Sequence, residues 1–172
     1  MSLDFEKGET MTELDRLEYL ADYREDNRIE AKRAQGGLPH SLWETYSAFA
    51  NTLGGVILLG VAEAEDKSLY SVPGLEPEEL VRQFWEIVEN PACVSVNLLR
   101  PEDVRIERSE GNRIVVIFVP KASEQLRPVY LGLDPFQGTY RRCGEGDFRC
   151  SREEVTHMLA NAAAKNKKLG KL

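Results

Sequence analysis

Apolar and polar positions change period along this chain, and each change marks an element. Leu14, Leu17 and Leu20 recur at helical spacing and predict a short amphipathic helix over Thr12 to Asp22. From Asn27 to Ala34, Ile29 and Ala31 alternate with Arg28, Glu30 and Lys32, the pattern of a strand with one polar face. After the Gly36–Gly37–Leu38–Pro39 loop, Ser41 and Glu44 form an S-x-x-E capping box that predicts a helix start. Leu42, Tyr46, Phe49 and Leu53 step along one face of that helix. Gly54 and Gly55 end it, because glycine takes the left-handed conformation at low cost. Val56 to Val61 is apolar apart from Gly60, as in a central strand buried on both faces.

The second half continues in short elements. Ala64 to Tyr70 reads as a polar loop. Pro77 suits a first helical position, and Leu80, Val81, Phe84 and Val88 carry a helix that stops near Pro91. Val94 to Leu98, Val104 to Glu107 and Arg113 to Val119 are strand candidates, the last two joined as a hairpin around Ser109–Asn112. Pro128 to Leu131 is a short edge segment and Gly138 to Cys143 a strand. A second capping box, Ser151 and Glu154, opens a final helix to about Ala164. The order is mixed and the late strands pair locally. The expected class is therefore α/β (α+β), a mixed sheet packed by helices in a sandwich. Residues 1–10 read as a disordered lead-in or a remnant ahead of a start at Met11. Residues 11–164 read as one domain and residues 165–172 as a basic tail.

At 172 residues with 42% hydrophobic and 30% charged positions, the chain can bury one core and is not disordered as a whole. It has no apolar run of about 18 residues, so no spanning helix is expected. The acidic N-terminus is no secretory signal. Three widely spaced cysteines, Cys93, Cys143 and Cys150, fit a reducing cytoplasm better than a disulfide framework. The net charge of −7 argues against a generic nucleic-acid binder. Its distribution changes the picture. Residues 1–30 carry 10 acidic against 4 basic side chains, whereas residues 127–172 carry 5 against 9.

Four constellations could carry chemistry. Gly55 and Gly60 have P-loop spacing, but Val61–Ala62 stands where Lys-Ser/Thr is needed, so no ATP site is expected. The cysteines form no C-x-x-C pair, and His40 and His157 have no metal-ligand spacing. Glu25, Glu30 and Glu63 flank the two early strands. They could converge on Mg²⁺ or Mn²⁺, which prefer oxygen ligands, or stay as solvated surface carboxylates. Tyr140, Arg141 and Arg142 share a strand, with Arg127 before them and Arg149 and Arg152 after. Arginine forks suit phosphate oxygens and tyrosine offers a stacking surface; a charged edge strand is the plainer explanation.

The run from Ser47 to Val61, Ser-Ala-Phe-Ala-Asn-Thr-Leu-Gly-Gly-Val-Ile-Leu-Leu-Gly-Val, resembles the SAFANT-GG-hhhhGV core of the Schlafen-type AlbA-like domain, once called a divergent AAA domain. Its motif positions are Ser47, Asn51, Thr52, Gly54, Gly55 and Gly60. Upstream, Glu25 to Lys32 resembles the family's E-S-x-x-V-E-F-K strand. Downstream, Tyr140 to Gly144 resembles its Y-x-R-x-G strand. The resemblance covers roughly residues 12–162 and implies an Alba-related α/β fold.

It also implies a DNA-binding domain of a transcriptional regulator, often followed by a winged-helix module that this sequence does not include. Arg127, Tyr140, Arg141, Arg142, Arg152, Lys165, Lys167 and Lys168 would be the nucleic-acid contacts. Schlafen proteins carry two such domains side by side, so a homodimer could reproduce that arrangement. Some members are metal-dependent endoribonucleases acting on structured RNA. Their acidic triad matches Glu25, Glu30 and Glu63, with Mg or Mn as cofactor. Here Glu63 replaces the family's Asp, Asp26 its Ser and Ala31 its Phe. A protein-interaction module docking through the acidic N-terminus is the third reading.

Overall fold

The computed structural model describes Leu20, Tyr23 and residues 25–170. In chain order these form β1 (Ile29–Lys32), α1 (Ser41–Asn51), β2 (Gly55–Leu59), β3 (Val61–Glu63) and β4 (Leu69–Ser71). There follow α2 (Pro77–Val88), β5 (Val104–Ser109), β6 (Asn112–Val119), the one-turn α3 (Pro135–Gly138), β7 (Tyr140–Cys143), β8 (Gly146–Arg149) and α4 (Arg152–Lys168). The central sheet has the order β1-β2-β6-β5, and β3–β4 and β7–β8 are separate hairpins. β1 runs parallel to β2; β2–β6 and β5–β6 are antiparallel. The sheet is thus mixed, and the fold is α+β.

Strand alternation divides the core into two faces. Ile57 and Leu59 of β2, with Val115, Ile117 and Val119 of β6, meet Leu42, Trp43, Tyr46 and Phe49 of α1 and Phe84 and Val88 of α2. Trp43 stacks on Phe84 with ring centroids 5.1 Å apart. Val56, Leu58, Ile114, Val116 and Phe118 point the other way, to Leu20, Tyr23, Val61 and Leu69. All five residues of β2 are buried. Each large apolar side chain so buried contributes roughly 2 kcal/mol. On β1, Ile29 and Ala31 join the second face, which turns Glu30 and Lys32 toward the side of α1.

Several elements differ from the sequence expectation. The expected Thr12–Asp22 helix and the 1–10 lead-in lie outside the described residues, Leu20 excepted. Ser41 is not a cap. α1 starts after His40, and the Pro39 and His40 carbonyls accept from Leu42 and Trp43, so backbone alone serves the first-turn amides. The Ser41 hydroxyl instead accepts from Lys32 Nζ at 3.0 Å. The Ala64–Tyr70 loop is shorter than expected, because β3 and β4 pair across it.

Val94–Leu98 is no strand; it makes one bridge, Val94 to Leu131. Its backbone is satisfied piecemeal, Tyr46 Oη donating to Val96 O and accepting from Leu98 N. The first residues of the expected Gly138–Cys143 strand belong to α3 and its exit. Pro128–Leu131 contributes only isolated bridges. The second capping box is present, and α4 runs on to Lys168, so Lys165, Lys167 and Lys168 are helical. Among the described residues no helix is long and apolar enough to cross a membrane.

Candidate functional site

Ser47 to Asn51 of α1 are buried, and their polar side chains, with that of the half-buried Thr52, lace the helix to the chain that leads into β7. Ser47 Oγ donates to Val129 O at 2.7 Å and accepts from Tyr140 N at 3.0 Å. Asn51 Nδ2 donates to the carbonyls of Val129 and Tyr140, while its Oδ1 accepts from Val129 N. Thr52 Oγ1 accepts from Arg142 N at 2.9 Å. These groups serve Val129 and the edge of β7 that no second strand covers, as buried amides and carbonyls require. Gly54 (φ 75°) then lets the chain pass β6; a Cβ there would lie 2.8 Å from Val119 O. Gly55 lets the Phe49 ring lie against β2, 2.6 Å from where a Cβ would stand. Gly60 turns the chain at φ 88° into β3. The Gly55–Gly60 run is therefore a buried strand and its exit, with no loop geometry for phosphate.

β7 delivers Arg142 into the gap between α1 and β1. Its side chain has no exposed surface, Nη2 reaching Glu30 at 2.9 Å and Nη1 reaching Asp147 at 2.8 Å. It also donates to the Asp26 and Ile29 carbonyls, and its guanidinium lies 4.9 Å from the Phe49 ring centroid. Burial pulls its pKa down, but the hydrogen bonds it donates to Asp147 and Glu30 outweigh that and hold it above the ordinary value. Thr45 Oγ1 donates to the other oxygen of Asp147 at 2.6 Å. As a phosphate contact, Arg142 is therefore corrected: it is a buried tie between β7, β8 and β1 with no surface left to meet a ligand.

The same tie removes Glu30 from the expected carboxylate trio. Its oxygens go to Arg142 and, at 3.4 Å, to Lys32. Glu25 and Glu63 do converge, and the third partner is Glu145 from the β7–β8 turn. One carboxylate oxygen from each of the three lies within 4.8 Å of the others. Glu25 Oε1 accepts from Ala31 N at 2.9 Å. Burial first, then the charge of Glu30, raises the Glu25 pKa to about 7, with smaller pushes from Glu63 and Glu145. Lys67 pairs with Glu63 at 3.2 Å from the solvent side. Oxygen donors at this spacing suit a hard divalent cation such as Mg²⁺ or Mn²⁺.

The family model of the Schlafen AlbA_2 domain matches residues 25–151, from Glu25 to the cap of α4. The chain belongs to the Schlafen AlbA_2 family. A solved structure, the N-terminal domain of a protein related to the ATP-dependent DNA helicase RecG from Nitrosomonas europaea, is 35% identical, with a TM-score of 0.53. The match covers 79% of this chain and 91% of that one. The DIP2311 protein of Corynebacterium diphtheriae shares the fold at 18% identity and a TM-score of 0.52. That match covers 88% of this chain, which spans a third of the larger protein. No curated protein matches the chain.

The remaining basic positions of this Schlafen AlbA_2 domain are spread along its C-terminal third. Arg141 pairs with Glu154 at 3.1 Å and lies 5.7 Å from the Phe148 ring centroid. Arg149 lies 6.0 Å from the Tyr140 ring, and Arg152 lies 4.3 Å from the Phe136 ring. Arg127 is half-buried. Lys165 pairs with Glu124 at 3.6 Å, and Lys167 and Lys168 are exposed at the end of α4. Sequence reasoning missed Glu145 and Phe148; it named Arg149 beside Tyr140–Arg142 but left it out of the contact set. The signal was Gly144–Glu145–Gly146, a turn signature between two short β-compatible runs. Gly144 takes φ 59°, so Tyr140 to Arg149 folds as one hairpin.

Proposed function

We propose that this domain binds nucleic acid. The observation that carries the reading is the set of arginine–aromatic pairs in the C-terminal third, Arg141 over Phe148, Arg149 over Tyr140 and Arg152 over Phe136, the first two on opposite sides of the β7–β8 hairpin. Guanidinium groups suit phosphate oxygens, and aromatic faces suit bases. The RecG-related neighbour, 35% identical over most of both chains, supports it. The finer form is the DNA-binding domain of a cytoplasmic transcriptional regulator, working as a homodimer or with a C-terminal winged-helix module. Arg127, Tyr140, Lys165, Lys167 and Lys168 complete the proposed contact set.

The test is fluorescence anisotropy with duplex DNA, single-stranded DNA and hairpin RNA across a salt titration in EDTA. Affinity should fall steeply with salt, because phosphate neutralisation releases counterions. The Arg141→Ala, Arg149→Ala double variant should bind more weakly with a shallower slope. Absence of binding to all three probes at physiological salt rejects the reading and leaves a protein-interaction module in its place.

A second reading is favoured by one observation, the Glu25–Glu63–Glu145 convergence. These three would hold a Mg²⁺ or Mn²⁺ in an endoribonuclease acting on structured RNA. Such an ion, when bound, orients water and offsets charge building on a phosphate. Glu30 would act here as a positioning residue through Arg142. Glu25→Gln and Glu63→Gln should each abolish Mn²⁺-dependent cleavage of hairpin RNA while EDTA-insensitive binding survives. Cleavage that persists unchanged in both variants excludes this site.

A further inference from the structure

We propose that Phe148 is a stacking platform for an unpaired nucleobase, so that the domain takes single-stranded or looped nucleic acid in preference to a blunt duplex. The inference rests on the nucleic-acid reading. β7 and β8 pair so that Arg141 faces Phe148 and Cys143 faces Gly146, which puts these four on one side of the hairpin. Arg142 and Asp147 point to the other side, into the core. Phe148 is thus freed from the core by the register itself, and it is 49% exposed.

Its ring is nevertheless held in place. It lies against the backbone of Gly146, where a Cβ would stand 2.8 Å from the ring. The Arg141 guanidinium lies over it, 5.7 Å from its centroid, and is itself paired with Glu154. A half-exposed aromatic ring backed by glycine, with a guanidinium held over it, forms a stacking surface of ring and cation together. An unpaired base meets both needs, its π-face on the ring and its phosphate toward Arg141.

Base accessibility decides between unpaired and paired strands. Both carry a phosphate on every nucleotide, so the Glu25–Glu63–Glu145 group repels both. A blunt duplex keeps its bases paired and stacked inside, whereas an unpaired base can lay its π-face on Phe148.

The test uses the whole chain, in EDTA, with fluorescein-labelled oligothymidine, oligouridine and a blunt duplex of equal length. Wild type should prefer the single strands. Phe148→Ala should lose affinity for them by roughly 5- to 100-fold, the range seen when a base-stacking aromatic is removed. Phe148→Leu, which keeps apolar bulk without an aromatic face, should lose it too, while Phe148→Trp should restore it. Thermal melts of each variant establish folding. The oligothymidine and oligouridine arms tell whether the base comes from DNA or RNA. Wild-type-like single-strand binding by Phe148→Leu, or an equal loss on the duplex, overturns this inference and leaves the nucleic-acid reading standing. Wild type binding none of the three overturns both.

Discussion

At the scale of single residues, Glu25 and Arg142 are the side chains under most electrostatic constraint. Glu25 faces Glu30 from β1, Glu63 from β3 and Glu145 from the β7–β8 turn, with Lys67 as the nearby cation, held at Glu63. Its pKa of about 7 exceeds the ordinary carboxylate value of 4.5. Between those values the folded chain holds a proton that the unfolded chain has released. Stability therefore falls as pH rises from 4.5 through 7, and the whole penalty is present above 7. Glu25→Gln keeps an oxygen for the Ala31 amide and carries no charge. Its melting temperature should exceed that of wild type at pH 8, and the gap should close near pH 5. A gap independent of pH would show that Glu25 is not held protonated. Arg142→Ala removes the main partner of two largely buried carboxylates, leaving Glu30 with Lys32 at 3.4 Å and Asp147 with the Thr45 hydroxyl. It should cost about 3–5 kcal/mol in urea unfolding, the cost of breaking a buried pair from one side. Arg142→Lys should recover only part, since one ammonium cannot span Glu30, Asp147 and two backbone carbonyls.

At the scale of elements, the exit of α1 is the least forgiving joint. Gly54 combines a left-handed φ of 75° with backbone atoms of Val119 and Lys121 at 2.8 and 2.9 Å from a would-be Cβ. Gly54→Ala should destabilise by about 2 kcal/mol or more, through strain plus displacement of β6. Gly111 also has positive φ, 82°, but nothing stands near its would-be Cβ. Gly111→Ala should therefore cost less than Gly54→Ala, and the two unfolding curves measured side by side check this. Polar residues act at this scale as well. Ser47, Asn51 and Thr52 look like surface positions in a list of residue types, yet they serve the backbone of Val129 and the open edge of β7 at Tyr140 and Arg142. Their place in this chain is thus explained by packing.

At the scale of the whole molecule, a net charge of −7 coexists with a basic C-terminal segment. The proposed nucleic-acid contacts, Arg127 apart, accordingly fall on β7, β8 and α4. Lys167 and Lys168, exposed at the end of α4, extend that set. If both touch phosphates, the Lys167→Gln, Lys168→Gln variant should lose about 1.4–1.8 from the slope of log affinity against log salt. An unchanged slope in anisotropy titrations would take the end of α4 out of the interface. Lys165, already paired with Glu124, should add less to that slope than Lys167 or Lys168.

Local pattern was enough to read the helices at Ser41 and Pro77, the buried β2, the β5–β6 hairpin and the capped α4. Their period, caps and turn residues act over a few positions. The motif around Asn51 and the pairing of Glu25 with Glu63 were legible through the family resemblance. The fates of Arg142 and Glu30 were not, because they are 112 residues apart and meet only when β7 closes on β1. Nor was the entry of Glu145 into the acidic group, which depends on the β7–β8 turn reaching Glu25. An arginine beside a tyrosine on a strand reads as a surface contact in any linear pattern. Which side of that strand faces the core is set by register, and register is a property of the packed sheet.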